Sequence, residues 1–244
     1  DGSIVLMGGL DKDGGNNDVW RSTDKGATWT QVPDAGWLGR YYHSSVVLPD
    51  GSIILMGGST ISGATNDIWR STDKGVTWTN LPDPGWNKRY GHSSNMMPDG
   101  SIVVMGGRYS YLIQIYDNDE VWRSTDNCLT WTRVNVQPGW SERSYFSSVV
   151  LPDGSIVLMG GLTDSGSEKR NVWRLQPAGS TIKDPVHTYY SPGNYTVSLQ
   201  VYNNAGYNIT QIVKYITVRN GIPIPGYTDH PTDPDSDGIY EDLN

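Results

Sequence analysis

The chain contains Asp-Gly-Ser-Ile-Ile-Leu-Met-Gly-Gly at residues 50–58, and this stretch decides the fold because it recurs. Related copies begin at Asp1, Asp99 and Asp153, so successive copies are spaced by 49, 49 and 54 residues. A Val-Trp or Ile-Trp pair follows each copy, ending at Trp20, Trp69, Trp122 and Trp173. Self-similarity at a period of about fifty residues predicts a repeat architecture.

Each unit has the pattern of four short β-strands. In the second unit these strands are predicted at residues 43–48, 52–56, 67–71 and 77–81. They are rich in β-branched and apolar residues, and Pro-Asp-Gly or Asp-Lys-Gly turns separate them. The Gly57-Gly58 pair is expected to end the second strand at a point where the backbone must bend or pack closely. Four antiparallel strands per unit predict an all-β fold built as a partial β-propeller.

The chain holds two complete units, a leading partial unit and a last unit that stops after Trp173. Closed propellers have about four to eight blades. We therefore expect no closed ring from this chain unless it assembles with another copy or with further sequence. Because its first residues lie in the middle of a unit, we also expect the chain to be an excerpt from a longer protein.

Two features resemble known propeller families. Arg40, His43 and Ser44 precede the first strand of a unit with a downstream Gly-Gly and Trp, which resembles a kelch repeat. The segments at 22–29 and 71–78 read Ser-x-Asp-x-Gly-x-Thr-Trp and resemble the Asp-box of sialidase-type propellers. Together these resemblances cover residues 1–175 and imply a propeller portion with two full and two partial blades.

The third Asp-box-like segment has Cys128 where the other two have glycine. This residue must either adopt a positive φ, which is costly for a side chain, or change the turn. We expect a modified turn rather than a reactive thiol. As the chain's single cysteine, Cys128 also excludes an intrachain disulfide framework.

A different module follows the repeats. Residues 187–218 contain an alternating stretch at 195–201 and a second strand pattern at 209–218. This part resembles the second half of a PKD domain, which implies a portion of an immunoglobulin-like β-sandwich. We place the PKD-like portion at 176–219.

The last segment, 220–244, combines a proline-rich linker with an acidic tail. Its alternating oxygens resemble the first half of an EF-hand or dockerin calcium loop, with candidate ligands Asp233, Asp235, Asp237, Ile239 and Glu241. The twelfth loop position is Asn244, where the motif has a bidentate carboxylate. The tail is therefore a calcium candidate and a docking handle for a partner, with a disordered acidic tail as the alternative.

Charge and hydropathy limit the partners. The formal net charge is −8, and residues 221–244 carry six acids without a Lys or Arg. Nucleic acid and anionic membranes attract positive surfaces, so neither is an expected partner. No apolar run reaches the roughly 18 residues of a membrane helix, so no transmembrane segment is expected.

The sequence shows no catalytic constellation. The repeated arginines occupy equivalent places in each unit, whereas an active site needs unequal contributions around the ring. The blade acids lie mostly in turns, where backbone hydrogen bonds explain them. We therefore expect a protein that is not an enzyme, and we name no catalytic residue.

Binding remains as the expected function, and two groups of residues are candidates. The repeated Gly-Trp-x-x-Arg segments offer Trp37, Arg40, Trp86, Arg89, Trp140 and Arg143 for stacking on sugars or gripping carboxylates. The alternative is architectural, with Trp sealing adjacent blades and Arg tying loops together. The longest connection, in the third unit, adds Tyr109 and Tyr111.

The resemblances together imply a modular surface protein of a prokaryote, with archaea among the possible sources. We expect an extracellular or cell-surface location and non-catalytic binding or adhesion to a glycan or a surface protein. One alternative is a fragment of a secreted carbohydrate-active enzyme, such as a sialidase-like glycosidase, with catalytic residues outside the excerpt. Another is a structural surface-layer element.

Overall fold

A computed structural model of the chain describes residues 2–111, 114–134, 139–151, 154–175, 193–203 and 206–218. The described residues form strands and no helix, which confirms the all-β prediction. The strands are β1 Ile4–Asp11, β2 Gly14–Ser22, β3 Thr30–Val32, β4 Arg40–Tyr41, β5 Ser44–Val47, β6 Ile53–Thr60, β7 Gly63–Ser71, β8 Thr79–Asn80, β9 Ser93–Met96, β10 Ile102–Met105, β11 Arg108–Tyr111, β12 Gln114–Asp117, β13 Val121–Ser124, β14 Thr132–Arg133, β15 Ser147–Val150, β16 Ile156–Met159, β17 Val172–Leu175, β18 Gly193–Asn203 and β19 Gly206–Val218.

Within the described part of the chain, the repeats form four antiparallel sheets that we call blades 1 to 4. Blade 1 is β1-β2-β3, blade 2 is β5-β6-β7-β8, blade 3 is β9-β10-β13-β14, and blade 4 is β15-β16-β17. The short strand β4 also pairs with β6. The register repeats from blade to blade, with the pairs Leu6↔Trp20, Leu55↔Trp69, Val104↔Trp122 and Leu158↔Trp173.

The Gly-Gly pair of blade 2 does not end its strand. β6 continues through Gly57 and Gly58 to Thr60, with a register shift between Met56 and Gly58. The prediction that the pair ends the strand is therefore wrong, whereas the predicted bend or close packing at the pair is confirmed. Both glycines have positive φ, 55° and 107°, which makes an irregularity inside a continuing strand. A Cβ on Gly57 would lie 2.8 Å from the carbonyl oxygen of Arg89, so the next repeat packs directly on this backbone.

Apolar clusters join consecutive blades. Between blades 1 and 2, Val19 and Leu55 are buried with Trp37, and Val5 and Met7 pack against them. Blades 2 and 3 share the cluster Val46, Leu48, Ile54, Met56, Ile68, Trp86, Ile102, Val104 and Cys128. Blades 3 and 4 share Val103, Met105, Val121, Trp140, Phe146, Ile156 and Leu158. The core of the propeller portion thus lies between blades, because the sheets of blades 2 and 3 bury apolar side chains on both faces.

Beyond the blades, β18 and β19 pair as a two-stranded sheet. The hydroxyl of Thr217 donates to the Asn194 side-chain oxygen at 2.8 Å. This agrees with the strands predicted in the PKD-like portion.

The Ser-x-Asp turns of the blades keep one geometry, including the turn that carries Cys128. In blade 2, the Gly75 amide donates to the Ser71 hydroxyl at 2.8 Å, and Thr77 donates to Asp73. In blade 3, the Cys128 amide donates to the Ser124 hydroxyl at 3.0 Å, and Cys128 has a φ of 70°. The expected change of turn type is therefore wrong. The buried thiol packs in the cluster between blades 2 and 3, and this burial accompanies the strained φ.

We predict that Cys128 is inert in the folded protein. Its side chain is buried, and burial followed by the nearby Asp126 charge raises the pKa of the thiol to about 12. Since the thiolate is the nucleophile, Ellman's reagent should react at least about 1,000-fold more slowly with the native chain than with the unfolded chain. Release of the thionitrobenzoate anion, measured with and without guanidinium chloride, checks this. Comparable rates in the two states would contradict the burial of this side chain.

Candidate functional site

The repeated arginine of each unit joins its loop to a Gly-Gly segment. The guanidinium of Arg40 donates through Nη1 to the Gly57 carbonyl at 2.9 Å. It also donates to both carboxylate oxygens of Asp67, at 2.7 and 2.8 Å, and lies 5.3 Å from the centre of the Trp37 ring. Such a bidentate ion pair fixes the orientation of the guanidinium and also compensates its charge.

The group that faces this arginine changes from unit to unit. Arg89 donates to the Gly106 carbonyl at 3.0 Å and to Glu120 at 2.8 Å. Arg143 donates to the Gly160 carbonyl and to the side-chain oxygen of Asn171, each at 2.9 Å. The backbone contact is therefore constant, whereas among the described residues a carboxylate faces only Arg40 and Arg89 of these three arginines.

The six tryptophan and arginine side chains predicted to contact a ligand are buried. None is more than 5% exposed: Trp37, Arg40, Trp86, Arg89, Trp140 and Arg143. Their surroundings agree with the architectural alternative, in which Trp seals adjacent blades and Arg ties loops together. Buried rings and paired guanidinium groups leave no face for a sugar, so this structure does not bring these residues together as a ligand surface.

Four tyrosines lie close together just before the first strands of blades 2, 3 and 4. We call Tyr41, Tyr42, Tyr90 and Tyr145 the tyrosine cluster. The ring of Tyr42 makes edge contacts with those of Tyr41 and Tyr145, each with centroids 4.9 Å apart. It is stacked with Tyr90 at 6.3 Å. Tyr42 is 48% exposed and Tyr145 is 37% exposed, so the cluster presents rings from three repeats to solvent.

The backbone places these rings at an irregular step just before the first strand of a blade. Tyr42 and Tyr145 both have a φ of 56°, and Gly91 occupies the equivalent step of blade 3 with a φ of 63°. The Gly91 amide donates to the Tyr42 carbonyl, and the Tyr145 amide donates to the Gly91 carbonyl, each at 2.8 Å. A positive φ is rare and strained for tyrosine, and such strain is concentrated at functional sites.

An arginine-carboxylate pair joins the β11-β12 hairpin to the tyrosine cluster. Arg108 donates to both oxygens of Asp117, at 2.8 and 3.0 Å, and to the Thr163 carbonyl at 2.9 Å. Its guanidinium lies 5.6 Å from the centre of the Tyr145 ring. Because Asp117 neutralises this arginine, the guanidinium packs against the cluster as a side chain held in place. It contributes no unpaired positive charge.

The predicted site residues of this hairpin are partly described. Tyr109 stacks on Tyr116 with centroids 5.3 Å apart and an angle of 23° between the rings. Tyr111 lies in β11, but its side chain is outside the described residues. The hairpin therefore carries a second aromatic pair beside the exposed cluster.

Electrostatics favour neutral groups in the cluster. Burial, followed by the neighbouring Tyr90, raises the pKa of Tyr145 to about 12. Burial and the charges of Asp119, Asp164 and Asp117 raise the pKa of Glu142. Tyr145 therefore stays a neutral phenol, and the carboxylate of Asp117 lies close to the cluster.

Sequence reasoning missed the tyrosine cluster. The signal was present between the repeated arginine and the first strand, where the units read Arg-Tyr-Tyr-His at 40–43, Arg-Tyr-Gly-His at 89–92 and Arg-Ser-Tyr-Phe at 143–146. These are unequal residues at equivalent positions, as expected of a site built from unequal contributions of the repeats. Only the structure shows that the tyrosines of the three units contact one another, because each lies at or next to the same irregular backbone position of its unit.

The predicted calcium ligands Asp233, Asp235, Asp237, Ile239 and Glu241 lie outside the described residues. Within the described residues, no group of three or more His, Cys, Asp or Glu side chains could hold a metal ion. In the same part of the chain, no helix is long and apolar enough to cross a membrane.

Comparison with known families gives two matches. Residues 1–84 match the model of the DUF6242 beta propeller domain, and residues 144–214 match the model of the PKD domain. No curated protein matches the chain. The propeller and PKD assignments are thereby confirmed, whereas the kelch, Asp-box and dockerin resemblances stay interpretations. The PKD match includes the strands of blade 4, and the predicted boundary at residue 175 stays a prediction.

We predict opposite effects from exchanging the partners of two buried arginines. Asp67→Asn should lower the free energy of unfolding by about 2 kcal/mol, because Arg40 loses its counter-charge. Asn171→Asp should raise it by about 1 kcal/mol, because Arg143 gains one. Urea unfolding followed by tryptophan fluorescence measures both changes.

The stabilisation by the Arg40–Asp67 ion pair should also depend on pH. Although burial opposes it, hydrogen bonds from Arg40 and Trp69 hold the pKa of Asp67 below its ordinary value. The stabilisation is therefore present above that value and is lost as the pH falls, so the wild type and Asp67→Asn should converge in acid. Asp13→Asn, which removes an exposed ion pair, is the control and should change nothing measurable. An equal loss in both variants would contradict the anchoring role.

Proposed function

We propose that this chain, a propeller portion followed by a PKD domain, is a non-catalytic binding module of an extracellular or cell-surface protein. Its ligand is a glycan, with a protein ligand as the alternative. PKD domains are typical of extracellular and surface proteins, which supports an extracellular modular protein.

The tyrosine cluster carries the proposal. Its rings come from three repeats, and two of them, Tyr42 and Tyr145, are exposed and are held at a positive φ. In blade 3 the equivalent position is Gly91, which also has a positive φ, so the fold itself does not require tyrosine there. Exposed rings with hydroxyl tips provide both an apolar face and a hydrogen-bonding group, which suits a sugar ring.

The charges near the tyrosine cluster favour a neutral glycan over an acidic one as the ligand. Asp117 pairs with Arg108, so this guanidinium is not available for the carboxylate of an acidic sugar. Burial, followed by the charges of Asp119, Asp164 and Asp117, raises the pKa of Glu142 beside the hairpin, and these carboxylates together give a negative local potential. Acidic sugars such as sialic acid would be repelled by this potential.

Tyr42→Gly separates binding from stability. The variant removes a stacking ring, so affinity for a neutral oligosaccharide should fall about tenfold. It also relieves the strain of a positive φ, so the free energy of unfolding should change by less than about 1 kcal/mol. Binding to an array of neutral and acidic glycans, with thermal unfolding in parallel, measures both effects.

Two control variants localise the effect. Lys25→Gly relieves a φ of 61° away from the cluster and should leave glycan binding unchanged. Tyr109→Ala disrupts the hairpin stack and tests the second aromatic pair. Loss of binding in Tyr109→Ala alone would move the site to the hairpin. Hydrolysis of array glycans by the wild type would instead favour the carbohydrate-active enzyme, and failure to bind any glycan would favour a protein ligand or the surface-layer element.

We propose separately that the acidic tail binds calcium and serves as a docking handle. The alternating oxygens of Asp233, Asp235 and Asp237 support this, although Asn244 stands where the motif has a carboxylate. Calorimetric titration of the chain with calcium should give saturable heat that Asp235→Ala abolishes and the control Asp229→Ala preserves. Equal heats in both variants would return the tail to a solvated linker.

A further inference from the structure

One aromatic ring from each of blades 2, 3 and 4 packs on the Gly-Gly segment of the blade before it. The ring of His43 lies against Gly8, the ring of His92 against Gly57, and the ring of Phe146 against Gly106. A Cβ on any of these three glycines would lie 3.0 Å or less from the ring that covers it. We call the three contacts the aromatic joints. Each joint holds two consecutive blades together at the same place in the repeat.

Two of the aromatic joints are made by imidazole rings in buried surroundings. His92 is 7% exposed, and its Nε2 lies 2.7 Å from the hydroxyl of Ser44 in blade 2. The Nδ1 atoms of His43 and His92 are both buried. Protonation of either ring would therefore place a cation in a buried contact between two blades, which is costly without a counter-charge.

The groups around His43 disfavour its charged form. Burial, followed by the charge of Arg40, lowers the pKa of His43 to about 4. The backbone of Met7 in blade 1 opposes this shift without cancelling it. Asp67, which pairs with Arg40, has a pKa held below its ordinary value. This carboxylate therefore stays ionised at the mildly acidic pH at which an exposed histidine becomes charged.

The surroundings of His92 repeat this arrangement at the next joint. Burial, followed by the charges of Arg89 and His43, lowers the pKa of His92 to about 3. The backbone of Met56 in blade 2 opposes the shift. Glu120 pairs with Arg89, and its pKa also lies below the ordinary value. Each of the two imidazoles thus lies near a cationic arginine whose own carboxylate partner remains charged.

The two imidazoles also border the tyrosine cluster. Tyr42 directly precedes His43, and Gly91 directly precedes His92. The Gly91 amide donates to the Tyr42 carbonyl at 2.8 Å, and the rings of Tyr42 and Tyr90 are stacked at 6.3 Å. A shift of blade 2 or blade 3 at its joint would therefore move residues of the cluster apart.

We propose that the joints of His43 and His92 form an acid-sensitive device that opens the tyrosine cluster when the pH falls. Protonation of a ring stabilises the open arrangement, in which water reaches the imidazole, relative to the closed one. The joint of Phe146 has no group to protonate, so blades 3 and 4 stay together. This proposal is independent of the proposed function, because it concerns the geometry of the cluster and not its ligand.

Amide hydrogen exchange of the chain, followed by mass spectrometry, tests the proposal. In an open joint each histidine has its ordinary pKa of 6.5, so stability of the closed joint is complete above this value and is lost as the pH falls below it. Between pH 7.5 and pH 5.0, the equilibrium constant for opening should rise about 30-fold at each imidazole. Protection factors, which correct for the intrinsic effect of pH on exchange, should fall accordingly in residues 43–47 and 92–96. Those in residues 146–150 should change less than about twofold.

Matched variants exchange the two kinds of ring. His43→Phe and His92→Phe copy the ring that blade 4 already uses, so each should abolish the pH effect at its own joint. Phe146→His places an imidazole beside the buried Arg143 and should create the effect in residues 146–150. Wild-type protection that stays unchanged between the two pH values overturns the proposal. A wild-type pH effect that persists in the double variant His43→Phe/His92→Phe also overturns it, because other groups would then cause the opening.

Discussion

The propeller portion depends on the burial of both faces of β6 and β10, the strands inside blades 2 and 3. In β6, every residue from Ile53 to Thr60 is buried, and its apolar side chains point alternately to the blades on either side. Apolar surface on both sides of a sheet is stable only when another layer covers each side. Consecutive repeats therefore fold as mutual supports, and the clusters between blades supply the apolar core of this portion.

The polar contacts fit within this apolar constraint. The positive φ of Gly57 lets the strand carry an irregularity without ending, and its carbonyl then accepts from the buried Arg40. A side chain at Gly57 would collide with the backbone of the next repeat, so the glycine also sets how closely the blades approach. The arginine, the glycine pair and the blade interface are thus one structural device, repeated with small changes in the arginine's partner.

A repeated scaffold also makes departures from the repeat informative. The step before the first strand can be made by glycine, as at Gly91, but Tyr42 and Tyr145 make it with a strained backbone. Ring contacts across blades oppose the cost of this backbone strain, since Tyr42 contacts both Tyr90 and Tyr145. The proposed binding site is therefore the place where equivalent backbone positions carry unequal side chains, while the buried Trp and Arg pairs are equal and architectural.

The sequence by itself determined the repeat, the strand content and the blade architecture, because a period of about fifty residues and the alternation of apolar residues follow from local pattern. It could not decide whether Trp37 and Arg40 face solvent or the interior, since a Gly-Trp-x-x-Arg loop fits either position. It also failed at Gly57-Gly58 and at Cys128, where packing from the neighbouring blade stabilises a backbone that local preference alone would avoid. The tyrosine cluster joins residues from three repeats that are far apart in the chain. Only the side-by-side packing of blades brings those rings together, because contact between distant residues is a property of the tertiary structure and not of any local segment.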